Sequence, residues 1–105
     1  MSFHIEFRLE PDQPKRGERM SLYANVTLTE DTRCDAYEVM FKFKHPNGTV
    51  HEETKQCNGL DPHTGEWHLL IESFDPNETG TYELELSVWV NHEFKAHAQH
   101  HIHIE

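Results

Sequence analysis

Apolar and polar residues alternate from Tyr82 to Val90, with Trp89 as the exception, and this alternation constrains the fold more than any other feature of the chain. A period of two places one set of side chains on a single face of a β-strand, whereas a helix would spread the same set around its axis. The apolar set is Tyr82, Leu84, Leu86, Val88 and Val90. The segment is therefore predicted to be a strand with one buried face and one solvated face.

Other segments repeat this pattern. Strands are predicted over 3–9, 20–28, 37–44, 49–56, 67–73 and 94–104, in addition to 82–90. In the last strand, we expect Phe94, Ala96, Ala98, Ile102 and Ile104 to face inward. No segment has a helical period. The chain is therefore predicted to be an all-β domain in which about seven antiparallel strands form a two-sheet sandwich.

Cys34 and Cys57 bracket a predicted hairpin whose turn carries the Asn47-Gly48 pair, a strong signal for two antiparallel strands. Pairing of these strands would bring the two cysteines near each other, as a disulfide requires. In the entropic model, a bridge closing this loop stabilises the fold by about 3 kcal/mol. The alternative is two unpaired thiols in a reducing compartment. We expect the Cys34–Cys57 bridge to form.

Sequons for N-linked glycosylation occur at Asn25, Asn47 and Asn77. Each lies where the strand pattern places a side chain in water. Their number in so short a chain favours a secreted protein, or the extracellular or lumenal part of a membrane glycoprotein. The alternative is a cytosolic or bacterial protein in which the sequons arose by chance.

Length and charge narrow the function classes. A chain of 105 residues suits one domain, and we expect residues 1–105 to be a single sandwich excised from a larger protein. No apolar run has the length of a membrane span, so direct membrane insertion is not expected. The formal net charge of −10 disfavours nucleic acid as a partner, because an acidic surface repels phosphates.

A glycine lies two residues before the tyrosine at the head of the most regular strand, as Gly80 and Tyr82. This arrangement, with the turn that begins at Phe74, resembles the tyrosine corner of immunoglobulin-like sandwiches of the immunoglobulin, polycystic-kidney-disease-repeat and filamin type. The Arg16-Gly17-Glu18 segment resembles the approach to the second strand of these domains. The resemblance covers nearly the whole chain and implies the two-sheet sandwich fold.

The chain departs from antibody-type domains at several positions of that pattern. Ala24 and Leu84 stand where those domains place their inter-sheet cysteines. Phe41 replaces the usual core tryptophan, and Glu78 takes the place of the corner aspartate. These departures indicate a divergent relative of the family. Function stays open, because this fold serves adhesion, receptor, metal-handling and structural roles.

No arrangement in the sequence favours an enzyme. The cysteines flank a hairpin, the serines lie on strands, and there is no glycine-rich segment that would hold a phosphate. We therefore expect a binding or structural domain without catalytic residues.

Histidines are unusually frequent, and several share one strand face. His97, His101 and His103 are expected on the outward face of the last strand, with His92 in the preceding turn. Imidazoles at alternate positions lie on one side of a strand and are suitable ligands for zinc or copper. Protonation of all ten histidines would also change the formal charge from −10 to 0, which suggests a pH-responsive domain. The alternative is a set of solvated surface histidines.

Trp89 departs from the alternation and is expected to point away from the core, near outward Met40 and Lys42. An exposed tryptophan within a patch is typical of a protein interface. The alternative is that a loop or tail covers it. The sequence thus predicts an extracellular or lumenal recognition or adhesion module that binds a protein partner through Trp89, Met40 and Lys42. A metal- or pH-responsive domain and a structural spacer are the alternatives.

Overall fold

The computed structural model describes residues 3–28, 36–58 and 66–105, and these residues form two packed antiparallel sheets. The strands are β1 (Phe3–Glu10), β2 (Met20–Leu28), β3 (Ala36–Lys44), β4 (Val50–Asn58), β5 (Glu66–Phe74), β6 (Gly80–Val90) and β7 (Glu93–Ile104). One sheet has the order β1-β2-β5 and the other β4-β3-β6-β7. The prediction of an all-β, two-sheet sandwich is confirmed. The described residues contain no helix long and apolar enough to cross a membrane.

The core lies between the sheets and consists of the side chains that alternation assigns to the interior. Val39, Phe43 and Leu84 are fully buried, with no accessible surface. The ring of Phe43 lies 5.5 Å from that of Phe74 and 6.0 Å from that of Tyr82, measured between centroids. The four-stranded and the three-stranded sheet therefore share one apolar layer, because each buries its apolar face against the other.

Tyr82 forms the hydrogen bond expected of a tyrosine corner. Its hydroxyl donates to the carbonyl oxygen of Glu78 at 3.1 Å. Burial raises the pKa of Tyr82, so the hydroxyl keeps its proton and remains a donor. Gly80 makes the turn possible because its φ is 119°, and a Cβ there would lie only 3.2 Å from Cβ of Pro46.

Replacing Tyr82 by phenylalanine should lower the free energy of unfolding by about 1 kcal/mol, because the Glu78 carbonyl loses its hydroxyl donor while the ring packing is kept. Tyr23→Phe is the control, since the Tyr23 ring contacts Arg8 and no hydrogen bond of its hydroxyl is found in the described part of the chain. Urea unfolding of both variants measures the difference. Equal stabilities would contradict a stabilising role for the corner.

The β6–β7 hairpin differs from the sequence-based expectation. Asn91 and His92 form a two-residue loop with φ of 51° and 65°, the positive values that a type I′ turn requires. The register then shifts: Val88 pairs with Ala96, but Trp89 pairs with Phe94, leaving an extra residue in β7. This bulge turns Phe94 to the face opposite the core. The prediction that Phe94 faces inward is wrong, and its side chain is 55% exposed.

Candidate functional site

The face of the four-stranded sheet that points away from the core, here called the outer face, carries the predicted binding residues. Met40 pairs with Thr54 of β4 and Ser87 of β6, and Trp89 pairs with Phe94 of β7. Met40 and Trp89 are therefore diagonal neighbours on adjacent strands, a separation that long side chains bridge. Met40, Trp89 and Phe94 are called the outer patch below.

Trp89 lies on the predicted face, but its own neighbours cover part of it. Its Nε1–H donates to Ser87 Oγ at 2.9 Å, so the indole leans along β6. Its ring meets that of Phe94 edge to face, with centroids 5.6 Å apart. Trp89 is half-buried as a result, whereas Phe94 is 55% and Met40 43% exposed. Phe94 and Met40 therefore present more free apolar surface than Trp89 does.

Lys42 lies beside the outer patch and is exposed. Its Nζ is 3.8 Å from Glu52 Oε1, and it pairs across the sheet with Glu85. An exposed ion pair of this kind contributes little to stability. An open depression of about 460 Å³ lies here, and Lys42, Met40 and His97 are among the residues that line it. The outer face thus combines an apolar patch with a charged border, the usual composition of a protein interface.

The outward histidines share a face but do not gather around one point. His97, His101 and His103 are exposed and pair with Ser87, Glu83 and Thr81 of β6. At about 3.4 Å per residue along a strand, His97 lies roughly 14 Å from His101. The described ranges contain no group of three or more histidine, cysteine, aspartate or glutamate side chains that could hold a metal ion. The zinc or copper site on His97, His101 and His103 therefore stays a prediction, and His92 occupies the hairpin turn.

A cross-sheet cluster of Glu72, His45 and His51 was not anticipated from the sequence. The register of β5 on β2 shifts so that Leu22 pairs with Glu72 and Tyr23 with Leu70, which makes a bulge at this point. Strict alternation would place Glu72 in water, but the bulge turns it toward the other sheet. No local sequence signal marks such a bulge, because it depends on how β5 pairs with β2.

The contacts of this cluster connect the two sheets along one side of the sandwich. His45 Nε2 lies 2.8 Å from Glu72 Oε2, and these two side chains are only 17% and 19% exposed. His51 Nδ1 lies 3.0 Å from Glu72 Oε1, but without the alignment of a hydrogen bond. His51 Nε2 is also 3.1 Å from the carboxylate of Glu53. Glu72 therefore links β5 to the β3–β4 hairpin.

A histidine also connects the sheets on the opposite side. The rings of Phe7 in β1 and His100 in β7 are stacked, with centroids 5.0 Å apart. Burial lowers the pKa of His100, and the neighbouring charge of His101 lowers it further. His100 therefore packs against Phe7 as the neutral imidazole.

This packing predicts a loss of stability in acid. Because the folded pKa of His100 lies below its ordinary value of 6.5, the unfolded chain takes up the proton first. The contribution of neutral His100 to the free energy of unfolding is complete above about pH 6.5 and is lost as the pH falls through its folded pKa. In His100→Phe, the fall in the free energy of unfolding below pH 6.5 should be shallower than in the wild type. Denaturant unfolding across this pH range measures both slopes, and identical slopes would contradict the prediction.

The sequons lie away from the outer patch. Asn47 and Asn77 are exposed at one end of the sandwich, where the Asn47 backbone N–H donates to Glu78 Oε2 at 3.0 Å. Trp89 lies near the other end of β6. Asn25 lies on β2 in the three-stranded sheet, where its Oδ1 is 2.7 Å from His68 Nδ1. Whether any sequon carries a glycan stays a prediction.

The predicted disulfide falls partly outside the described residues. Residue 57 pairs with Tyr37 at the end of β4, but Cys34 lies in the segment 29–35, which is not described. The Cys34–Cys57 bridge therefore stays a prediction.

Comparison with known proteins adds no family to these observations. No protein-family model matches this chain, and neither a curated protein nor a solved structure gives a significant match. The candidate site is therefore defined by the structure alone, as the outer patch, Lys42 and the charged side chains around them.

Proposed function

We propose that this chain is a protein-recognition domain that binds its partner through the outer patch. The observation that carries the proposal is the exposure of Phe94 and Met40, at 55% and 43%, next to the half-buried ring of Trp89. These side chains lie on the outer face and contribute nothing to the layer between the sheets. Aromatic residues and methionine are enriched at interfaces, where a partner removes them from water.

The rigidity of the patch supports this proposal. The hydrogen bond from Trp89 to Ser87 and the edge contact with Phe94 restrict two large rings before any partner arrives. A restricted ring loses little conformational entropy on binding, so more of its contact energy appears as affinity. Lys42 and Glu85 beside the patch supply charges that select among partners.

We further propose that the domain is a divergent immunoglobulin-like module of an extracellular or lumenal glycoprotein. The hydrogen bond from Tyr82 to the Glu78 carbonyl supports the family, as does the two-sheet arrangement. The chain differs from constant-type immunoglobulin domains because its fourth strand pairs with the third. The exposure of Asn47 and Asn77 supports the proposed extracellular or lumenal location, since glycosylation needs accessible sequons. An oligosaccharide at either position would not cover the outer patch.

Affinity capture from cell-surface extracts tests the binding face. Met40→Glu places a charge in the outer patch, and Leu70→Glu is its matched control, because Leu70 lies in the other sheet and is also 43% exposed. Proteins retained by the wild type and by Leu70→Glu should be lost with Met40→Glu. Capture of the same proteins by all three, or their loss only with Leu70→Glu, would contradict the proposal.

A further inference from the structure

Strand β7 forms one edge of the four-stranded sheet, and beyond its bulge, from Ala96 to Ile104, its free edge lacks the usual protection against pairing. No other strand in the described residues forms a ladder with this edge. β1 contacts β7 through the stacking of Phe7 on His100 but pairs only with β2. From Ala96 to Ile104 the strand contains no aspartate, glutamate, lysine, arginine, proline or glycine. An uncharged, regular edge is a template for another strand.

The other three edges are protected. β4 carries Glu52, Glu53 and Lys55. β1 carries charged side chains that include the Arg8–Glu10 ion pair, and β5 is distorted by the bulge described above. Charges and bulges are the devices by which natural sheets prevent unwanted pairing. β7 is therefore the edge best suited to receive a strand.

We propose that β7 pairs antiparallel with β7 of a second copy of this chain, with His100 at the two-fold axis. The axis then lies at the centre of the uncharged segment between Ala96 and Ile104. This register places Ala98 opposite Ile102 of the second copy and Ala96 opposite Ile104. Side chains at opposite positions share a face, so each small residue meets a large one on the core side. Ala96 and Ala98 are half-buried in the single chain, and this pairing would cover them further.

The ends of the same register are complementary in charge. Lys95 comes opposite Glu105 of the second copy, at both ends of the paired segment. On the outer face, His97 comes opposite His103, and Gln99 opposite His101. The two four-stranded sheets become one continuous sheet, with both outer patches on the same side. This proposal does not depend on the proposed function of the outer patch.

Overall charge opposes this association. Each copy has a formal net charge of −10, so two copies repel each other at low ionic strength. Salt screens this repulsion, because the Debye length falls from about 30 Å at 0.01 M to about 8 Å at 0.15 M. The dimer is therefore expected to strengthen as salt is raised over this range.

Sedimentation equilibrium from micromolar to millimolar concentration tests the pairing and its register. The buffer is kept at about pH 8, above the ordinary titration range of histidine. In His97→Lys/His103→Lys, two pairs of like charges face each other across the axis. In His97→Lys/His103→Glu, the same positions carry opposite charges. The dissociation constant of the first variant should exceed that of the second by about tenfold or more.

Thr54→Lys provides the control, because it adds a charge to the exposed edge strand β4. It should leave the dissociation constant within about twofold of the wild-type value. A monomer at every concentration and salt level would overturn the proposal. So would a dimer that both double variants weaken equally, or one weakened mainly by Thr54→Lys, since another surface would then form the contact.

Discussion

Replacing Phe43 by alanine is expected to lower the free energy of unfolding by roughly 3–5 kcal/mol. Phe43 has no accessible surface, and its ring contacts Phe74, Tyr82 and His45. The substitution removes most of a buried ring and leaves a cavity that the two sheets cannot fully close. Domains of this size have total stabilities of about 5–15 kcal/mol, so the variant should be close to unfolding at room temperature.

Urea unfolding at low temperature measures this effect, with Val50→Ala as the control. Val50 is an apolar strand residue that is 41% exposed, so its truncation should change stability by less than about 0.5 kcal/mol. A loss below about 1 kcal/mol for Phe43→Ala would contradict the core described above.

Replacing Phe94 by alanine is expected to weaken binding of a captured partner by about 2 kcal/mol or more, which is roughly thirtyfold in the dissociation constant. Phe94 is the most exposed member of the outer patch, so a partner would bury more of it than of Trp89. Folding should be affected little. The variant loses one edge-to-face contact with Trp89, worth about 0.5–1.5 kcal/mol.

Trp89→Ala should give a different result, because Trp89 is half-buried and donates a hydrogen bond to Ser87. Its removal should lower both stability and affinity. Calorimetric titration and thermal unfolding of each variant separate the two effects. Unchanged affinity in Phe94→Ala, together with a large loss of stability, would mean that Phe94 supports the sheet and contacts no partner.

Alternation within the sequence was sufficient to predict the strands and most of the core. Val39 and Leu84 are buried as the period of two requires, and Tyr82 is buried at the head of β6 as predicted. These features depend on residues close together in the chain. Pattern and turn chemistry therefore carry the information.

Features that depend on strand register could not be predicted in this way. One bulge in β7 moves Phe94 from the core to the outer patch, and another in β5 turns Glu72 toward His45. Each bulge inserts a single residue into the pairing between two strands, and the sequence of either strand alone does not reveal it.

The outward histidines illustrate the same limit. Their common face was predictable from sequence, whereas the described residues do not gather three of them into one group, because His97 lies far from His101 along β7. Along a strand, side chains on the same face are two residues apart, so each successive one lies about 7 Å further along the strand. A compact ligand set needs a second element to supply the missing residues.

Histidine footprinting of the complex with a captured partner tests the outer patch most directly. Diethyl pyrocarbonate acylates accessible imidazoles, and this chain carries them on both sheets. His97 pairs with Ser87 beside the patch, whereas His4 and His68 lie on the three-stranded sheet and are both 60% exposed. Binding through the outer patch predicts that His97 is protected in the complex while His4 and His68 react as in the free protein. Protection of His4 or His68 with His97 still reactive would contradict it.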